Sequence, residues 1–509
     1  MGTSQKVALS LDCGSHAVRL IGYPEGGAQE LDLGALDITS LYPHPGHVEV
    51  DAESLVRHSV TLLRNGLKML ADQGKHAVCL GITNMRETAI AWDRRSGKAI
   101  HNGIHWMSTQ SQVQVDRWEK DGTAGFIREK TGLSNQTFFF GSKVRWLLEH
   151  SEHASALAAS GNLQLGTVES WLAYALSGGA VHVSDTANAS RYQLLNIHTV
   201  AWDEDLTSAL GVPINALPEV TSPHGIVGFT DPELVGQRIP ITGLIGDQQA
   251  SLLGHGALQE KDVKATFGTS GVVCANIGHD VVMVEGLVTS IAWSEHSVTD
   301  VVYEMEASAF HSASTMKWLS ERLLGVDLSE TFAAATGVPA EYRPYVIPAF
   351  SQLGAPRWPR RTGGAVVGLQ LDSTNHDIMR AGLESMAFQT FDTLSYLGMN
   401  PATISVDGGG SASDYLCQSL ANLTNAQVSR PVSTEITSRG AAHMAVKGLG
   451  EDPDAWLKPE LMERTVFDPQ DDDGYIATGY DHWVDLVERL LGDHPAGVGP
   501  SGERGPGEH

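Results

Sequence analysis

Basic side chains are scarce in this chain. Its 509 residues carry 34 Lys and Arg against 60 Asp and Glu, a formal charge of -26. A surface that binds nucleic acid or an anionic membrane needs the opposite excess, so both partners are excluded and any phosphate must be met locally. Cysteine is nearly missing: Cys13, Cys79, Cys274 and Cys417 are scattered, with no C-x-x-C spacing. That excludes a disulfide scaffold or zinc ribbon and predicts a reducing, cytoplasmic setting. No run of about 18 apolar residues occurs, and the start MGTSQKVALSLDCG lacks a basic segment followed by an apolar one, so neither membrane spanning nor secretion is expected. Lys6 stands where a myristoylation signal requires Ser or Thr. There is no GxxxxGK[ST] loop, no GxGxxG after a first strand and no GxSxG elbow, which removes the commonest nucleotide folds and the serine hydrolases. The 21 histidines include HPGH and HSEH, but no further ligands follow at metal-site spacing, and both read as loop histidines.

What is present points to an α/β protein of two domains, since this length exceeds one ordinary core. KVALSLDCGSHAVRLIGY reads as two apolar strands around a small polar turn at Asp12 to Ser15, and DVKATFGTSGVVCANIG reads the same way around Gly268 to Gly271. The two hairpins lie about half the chain apart, which suggests two similarly built domains, 1–250 and 251–492. Strand-like AVCLGITNM and TAIAWD accompany the helical DAESLVRHSVTLLRNGLKMLADQG. In NHDIMRAGLESMAFQTFDTLSYL, Met379, Leu383, Met386 and Ala387 form a core-facing stripe. The last predicted helix is YDHWVDLVERLLG, and the Gly- and Pro-rich tail 493–509 is expected to be disordered.

Four stretches could carry chemistry. Asp12, next to Cys13, Gly14 and Ser15, combines a carboxylate that can hold Mg2+ with small residues that let backbone N–H groups approach an anion; it reads equally as a hairpin turn. FGTSG offers a second phosphate cradle or a second plain turn. In SVDGGGSASDYLCQSLANL, three glycines precede a helix whose N-terminus a ligand could approach. In GLIGDQQASLLGHG a lone acid, Asp247, stands where a helix begins, with nothing basic beside it; it is either an N-cap or a working carboxylate.

Taken in order, LDCGSHAVR, GITNMRETAIAWDRRSGKAIHN, FFFGSKVRWLL, GTVESWLAYALSGGAVHVSDTANASR, GDQQASLLGHG, ATFGTSG, FSQLGAPRW, GAVVGLQLDSTNHDIMRAGLE and DGGGSASDYLCQ resemble the FGGY carbohydrate kinases nearly end to end. Within that family they most resemble the members that phosphorylate glycerol. The resemblance implies two actin/hexokinase-like (ribonuclease H-like) domains with mixed sheets, flanking a cleft for ATP and Mg2+. It implies that Asp247 is the catalytic base. Asp12, with Asp247, would hold the metal. Gly14, Ser15, His16 and Arg19 would lie near the phosphates, with Gly268 and Thr269 opposite them. Gly409 and Gly410 would admit the nucleotide, with Asp414 near the adenosine. Arg86, Glu87, Trp106, Phe138 and Gln248 would join Asp247 around the substrate.

The chain departs from the glycerol-phosphorylating members at three places. Met107, Ser108, Thr109 and Gln110 replace their Q-D-R-R after the tryptophan, Phe138 replaces a tyrosine, and Val272 replaces a phenylalanine. The lost hydroxyl removes one neutral hydrogen bond, about 0.5–1.5 kcal/mol, and valine leaves space that a longer polyol could fill. The expected partners are therefore ATP and a small polyol or sugar: glycerol first, a tetritol, pentitol or ketose second. A homo-oligomer is compatible with this reading. A nucleotide-binding regulator without turnover is the alternative of a different class.

Overall fold

A computed structural model of the protein describes residues 4–27, 29–309, 311–326, 343–350, 353–357 and 363–491. The predicted disordered tail lies outside them. The chain builds two mixed sheets in succession. The first contains β1 (Gln5–Cys13), β2 (Ala17–Pro24), β3 (Leu31–Asp37), β4 (Lys75–Asn84), β5 (His224–Phe229) and β6 (Pro240–Gly246), in the spatial order β5-β6-β4-β1-β2-β3. The second contains β7 (Val263–Phe267), β8 (Gly271–Gly278), β9 (Val288–Ser294), β10 (Val301–Ala309), β11 (Thr403–Asp407), β12 (Gln427–Pro431) and β13 (Arg464–Phe467), in the order β9-β10-β8-β7-β11-β12-β13.

With β9 set aside, the two orders are the same. The likeness is spatial, since the edge strand β5 precedes β6 in the chain whereas β13 follows β12. Each starts from an antiparallel hairpin, β1–β2 or β7–β8. Each then lays two parallel strands beside its first strand, β4 and β6 or β11 and β12. The hairpin repeat read from the sequence is thus one visible part of a repeated sheet. Asp12 and Cys13 belong to β1 rather than to the turn, because Asp12 pairs with Arg19 on one side and Thr83 on the other.

Helices cover the apolar faces. Helix α1 (Ala52–Asp72) is capped by Asp51, whose side chain accepts from the Glu53 N–H, and it buries Leu55, Leu62, Leu63 and Leu70. In the second half, α4 (Asn375–Tyr396) and α5 (Asp414–Thr424) bury Met379, Leu383, Met386, Leu416 and Leu420 against Val263, Ala265, Phe267, Ile404 and Val406. The terminal helix α7 (Tyr475–Leu491) begins one turn before the expected Tyr480. Among the described residues no helix is long and apolar enough to cross a membrane.

Two further helices join the halves. Helix α3 (Asp247–Gly254) follows β6, and α6 (Ile436–Gly448) follows β12 but lies on β1, β4 and β6 of the first sheet. Their contact depends on missing side chains: a Cβ on Gly440 would sit 1.9 Å from the Ala250 carbonyl, and one on Gly254 2.1 Å from that of Ile436. Backbone meets backbone there, so the start of α3 is held rigidly.

Candidate active site

Parallel strands β1, β4 and β6 end at the same edge, and the residues that end them are the polar ones. Asp12 is opposite Thr83, and β4 runs directly into Arg86 and Glu87; β6 ends at Gly246, so Asp247 opens α3. Such an edge is where open α/β sheets bind ligands. The N-cap position belongs to Gly246, not Asp247; the Asp247 Oδ1 accepts from the Gln248 N–H at 2.7 Å. That leaves its other oxygen free of the helix. The missing base in the sequence is supplied in space, with Arg86 Nε 3.2 Å from Asp247 Oδ1. Burial pushes Asp247 up to about 6; Arg86 pulls it down, Glu87 pushes it up, and Lys264 pulls it down.

Arg86 belongs to a ring of buried charges that crosses between the halves. Its Nη2 donates to Glu306 Oε2 at 2.7 Å, Glu306 Oε1 lies 3.2 Å from Arg191 Nη2, and Arg191 Nε donates to Glu87 Oε1 at 2.6 Å. Glu87 in turn lies 3.8 Å from Arg86 Nε. All four side chains are at most 7% exposed. Burial opposes ionisation of Glu306, but the two guanidinium groups prevail and hold it at about 2. Glu304, two residues earlier on β10, is pushed up to about 7 by burial; its Oε1 accepts from Ser290 at 2.9 Å and its buried Oε2 has no hydrogen-bond partner among the described residues.

Glu304 and Glu306 share a face of the second sheet with Lys264 and Asp407, as the alternation of strand residues requires. The opposite face is the apolar core under α4 and α5. Lys264 is fully buried; its Nζ donates to Gln248 Oε1 and, at 3.0 Å, to Thr266 Oγ1. Asp407 accepts from Ser251 at 2.8 Å and pairs with His255 at 3.0 Å. Although burial opposes it, the His255 hydrogen bond and the Lys264 charge hold Asp407 well below the usual carboxylate range.

Asp12 is the contrasting case. Burial raises it to about 7, the charges of Asp247 and Glu435 add to the rise, and Arg19 opposes them. Among the described residues no donor bonds its carboxylate. Two carboxylates near enough for the charge of Asp247 to raise Asp12, one of them without a donor among the described residues, fit Mg2+, which takes carboxylate oxygens and keeps its own waters. Asp12 and Asp247 are the residues that would hold it.

The remaining predicted positions fall around this edge. Trp106 Nε1 donates to Ser15 Oγ at 2.9 Å, and its backbone N–H to Thr88 Oγ1 at 3.3 Å, so the indole bridges the Gly14–His16 turn and the Arg86–Glu87 turn. Arg19 is half exposed and reaches Glu435 at 3.2 Å; His16 is exposed. Phe138 stacks on Phe139 with centroids 4.1 Å apart. Lys143 of α2 (Phe140–His150) is buried, which pushes it down to about 7 against the charge of Glu87.

Across the cleft, the Gly268–Ser270 turn packs on the turn after β11: a Cβ on Gly410 would lie 2.9 Å from Phe267 Cβ and 2.8 Å from Met386 Cε. Gly410 thus serves packing, while a Cβ on Gly409 would meet nothing within 4 Å, leaving that backbone open to a ligand. A short 3-10 turn (Gly409–Ala412) precedes α5, which Ser413 caps. Asp414 is exposed and accepts from Arg430 at 2.8 Å.

These features coincide with known proteins. Residues 7–254 match the model of the N-terminal domain of the FGGY family of carbohydrate kinases, and residues 263–449 match that of its C-terminal domain. The chain belongs to the FGGY family of carbohydrate kinases. A glycerol kinase of Pseudothermotoga lettingae is 34% identical over 96% of this FGGY chain and 99% of its own. One of Brevibacillus brevis is 36% identical over 96% and 98%. The crystal structure of Plasmodium falciparum glycerol kinase with ADP superposes with a TM-score of 0.89 at 28% identity, covering 96% and 99%. A ligand-bound xylulose kinase of Lactobacillus acidophilus reaches 0.83 at 18%, covering 95% and 98%, a likeness of fold alone. As an FGGY kinase the chain is an ATP-dependent phosphotransferase, and members of the family use ATP with Mg2+.

The charges read from the sequence as lone residues prove to be half of the constellation. Arg191, Glu306, Glu304, Lys264, Lys143 and Asp407 were not singled out, although VVYEMEASA places two acids at alternate positions of an otherwise apolar strand.

Proposed function

We propose that this kinase transfers the terminal phosphoryl group of ATP to a hydroxyl of glycerol, giving glycerol 3-phosphate. The observation that carries the reading is the Asp247 carboxylate, fixed at the rigid start of α3 and 3.2 Å from Arg86. Held near pKa 6, it is ionised at neutral pH yet basic enough to take a proton as the alcohol attacks. Phosphoryl transfer is loose, so the nucleophile needs aim more than early deprotonation. Arg86 and Glu87 offer a donor and an acceptor to neighbouring hydroxyls, Trp106 and Phe138 wall the carbon chain, and Gln248 reaches the same space. Ser15, Gly14, Gly268, Thr269 and Gly409 give small, approachable backbone to the phosphates. Mg2+ at Asp12 and Asp247 supplies charge neutralisation for the phosphate oxygens when bound. On this reading the acceptor and metal residues belong to the first half, 1–250, and the nucleotide face to the second, 251–492.

A longer alditol is the second reading. Val272 in place of a larger wall favours an acceptor with one more hydroxyl. ADP release measured with glycerol, erythritol, threitol, xylitol, ribitol and dihydroxyacetone, beside Asp247→Asn, tests both. Highest kcat/KM with glycerol, lost in the variant, is expected; ATP binding without turnover of any of them would leave only a regulator.

A further inference from the structure

Glu87 is held in a conformation that its own backbone disfavours. Its φ is +58°, in the left-handed region, and the Thr88 N–H donates to the Arg86 carbonyl at 2.7 Å across it. A three-residue turn of this hand is rare and strained in a residue with a side chain. Strain of that kind persists only where the surroundings over-determine it. At the side-chain end, Arg191 provides the hold at 2.6 Å.

At the backbone end the hold comes from Lys143. This side chain is fully enclosed, and its Nζ donates to the carbonyls of Phe138, Phe139 (2.9 Å) and Glu87 (3.3 Å). An ammonium has three N–H groups and no acceptor capacity, so three carbonyls saturate it. Two of the three come from one side of the acceptor pocket, before α2, and the third comes from the strained turn on the other side.

We propose that Lys143 is a positioning residue for phosphoryl transfer: it clamps the backbone of Glu87 to that of Phe138 and so sets the width and orientation of the acceptor pocket. It touches neither phosphate nor acceptor. Its loss lets Glu87 relax toward an ordinary backbone conformation, which turns the carboxylate away from the hydroxyl that it reads, while the nucleotide face on the other half is untouched.

This inference rests on the assignment of Glu87 to the acceptor, and the test separates the two. In Lys143→Met the acceptor KM should rise at least tenfold, with the KM for ATP within twofold of wild type. Combined with Glu87→Gln, Lys143→Met should add less than a further threefold, because its effect passes through Glu87. A folded Lys143→Met enzyme with acceptor KM within twofold of wild type overturns the clamp, as do effects that simply multiply in the double variant. If Glu87→Gln itself leaves the acceptor KM unchanged, the assignment of Glu87 fails instead. Lys143→Gln, whose amide offers two donors, should fall between wild type and Met. Should the Met variant not fold, a Gln variant with at least threefold higher acceptor KM supports the clamp, and an unchanged one overturns it.

Discussion

Replacing Asp12 by Asn should abolish turnover and yet make the ligand-free protein more stable. The carboxylate is half buried, faces Asp247 and Glu435, and is bonded by no donor among the described residues, so burial and like charge push it up to about 7. Moving a carboxyl there from its ordinary 3.8 corresponds to a ceiling of about 4 kcal/mol at alkaline pH. Partial solvent contact screens this, and about 2 kcal/mol is a fair expectation. Because the folded value lies above the unfolded one, the favourable contribution of the protonated acid is complete below about 3.8 and is lost as pH rises through 7. Asn mimics the protonated acid at every pH. Thermal melts in EDTA should therefore show Asp12→Asn above wild type at pH 8, by about 4–8 °C for a half of this size, with the gap closing between pH 7 and 4. Added Mg2+ and ATP should raise the wild-type melt more than that of the variant. A variant that melts lower than wild type at pH 8, or a gap independent of pH, would refute the picture of Asp12 as an uncompensated acid awaiting a cation.

Three further outcomes are expected. Asp247→Asn should lower kcat by about 10²–10⁴-fold with the KM for ATP within a few-fold in steady-state assays; a loss under tenfold would show that another group takes the proton. Glu306→Leu leaves Arg86 and Arg191 without their shared carboxylate, and equilibrium unfolding should report a loss of about 3–5 kcal/mol, the usual result of breaking one partner out of a buried ion pair. A loss below 1 kcal/mol would mean that Glu304 replaces it. Phe138→Tyr should improve the glycerol KM several-fold, in keeping with about 0.5–1.5 kcal/mol for one hydrogen bond; an unchanged KM would place the ring away from the acceptor.

Local patterns were legible and long-range pairing was not. The stripe of Met379, Leu383 and Met386 and the two hairpins depend on residue periodicity, which survives in one dimension, and all are present, with the first hairpin's turn two residues shorter than read because Asp12 and Cys13 pair in β1. The motif stretches carried the polar residues at the ends of β1, β4 and β6 because each lies within a few residues of a glycine or a small side chain. The groups that join them are distant in sequence. Arg86 meets Glu306 only because β10 faces the end of β4 across the cleft, and nothing near Asp247 in the chain announces Arg86 or Lys264. The start of α7 lies a turn earlier since Tyr475 packs against the cluster that holds Trp483 and its hydroxyl donates to Glu384 at 3.3 Å, tertiary contacts that override the polar DDDG before it.

The repeated sheet also explains why only one of two equivalent acids is free for chemistry. In the first half Asp12 on β1 lies opposite Thr83 on β4; in the second half Thr266 on β7 lies opposite Asp407 on β11. The same pair of neighbouring strands therefore carries one acid and one threonine in each half, exchanged between the strands. Asp407 Oδ2 takes hydrogen bonds from Ser251 and His255, and these with the Lys264 charge keep the carboxyl ionised, a fixed counter-charge to Lys264. Among the described residues Asp12 has no such donors, and Thr83 keeps a buried hydroxyl without a hydrogen-bond partner. The difference arises from the segments that cover the strand ends: α3 brings Ser251 and His255 to Asp407, whereas the groups that act on Asp12 are the charges of Asp247, Glu435 and Arg19. An acid with its donors supplied cannot take up a cation without losing them. The acid without donors can, and that asymmetry between two otherwise matching sheets supports the proposal that Mg2+ is held on the first half.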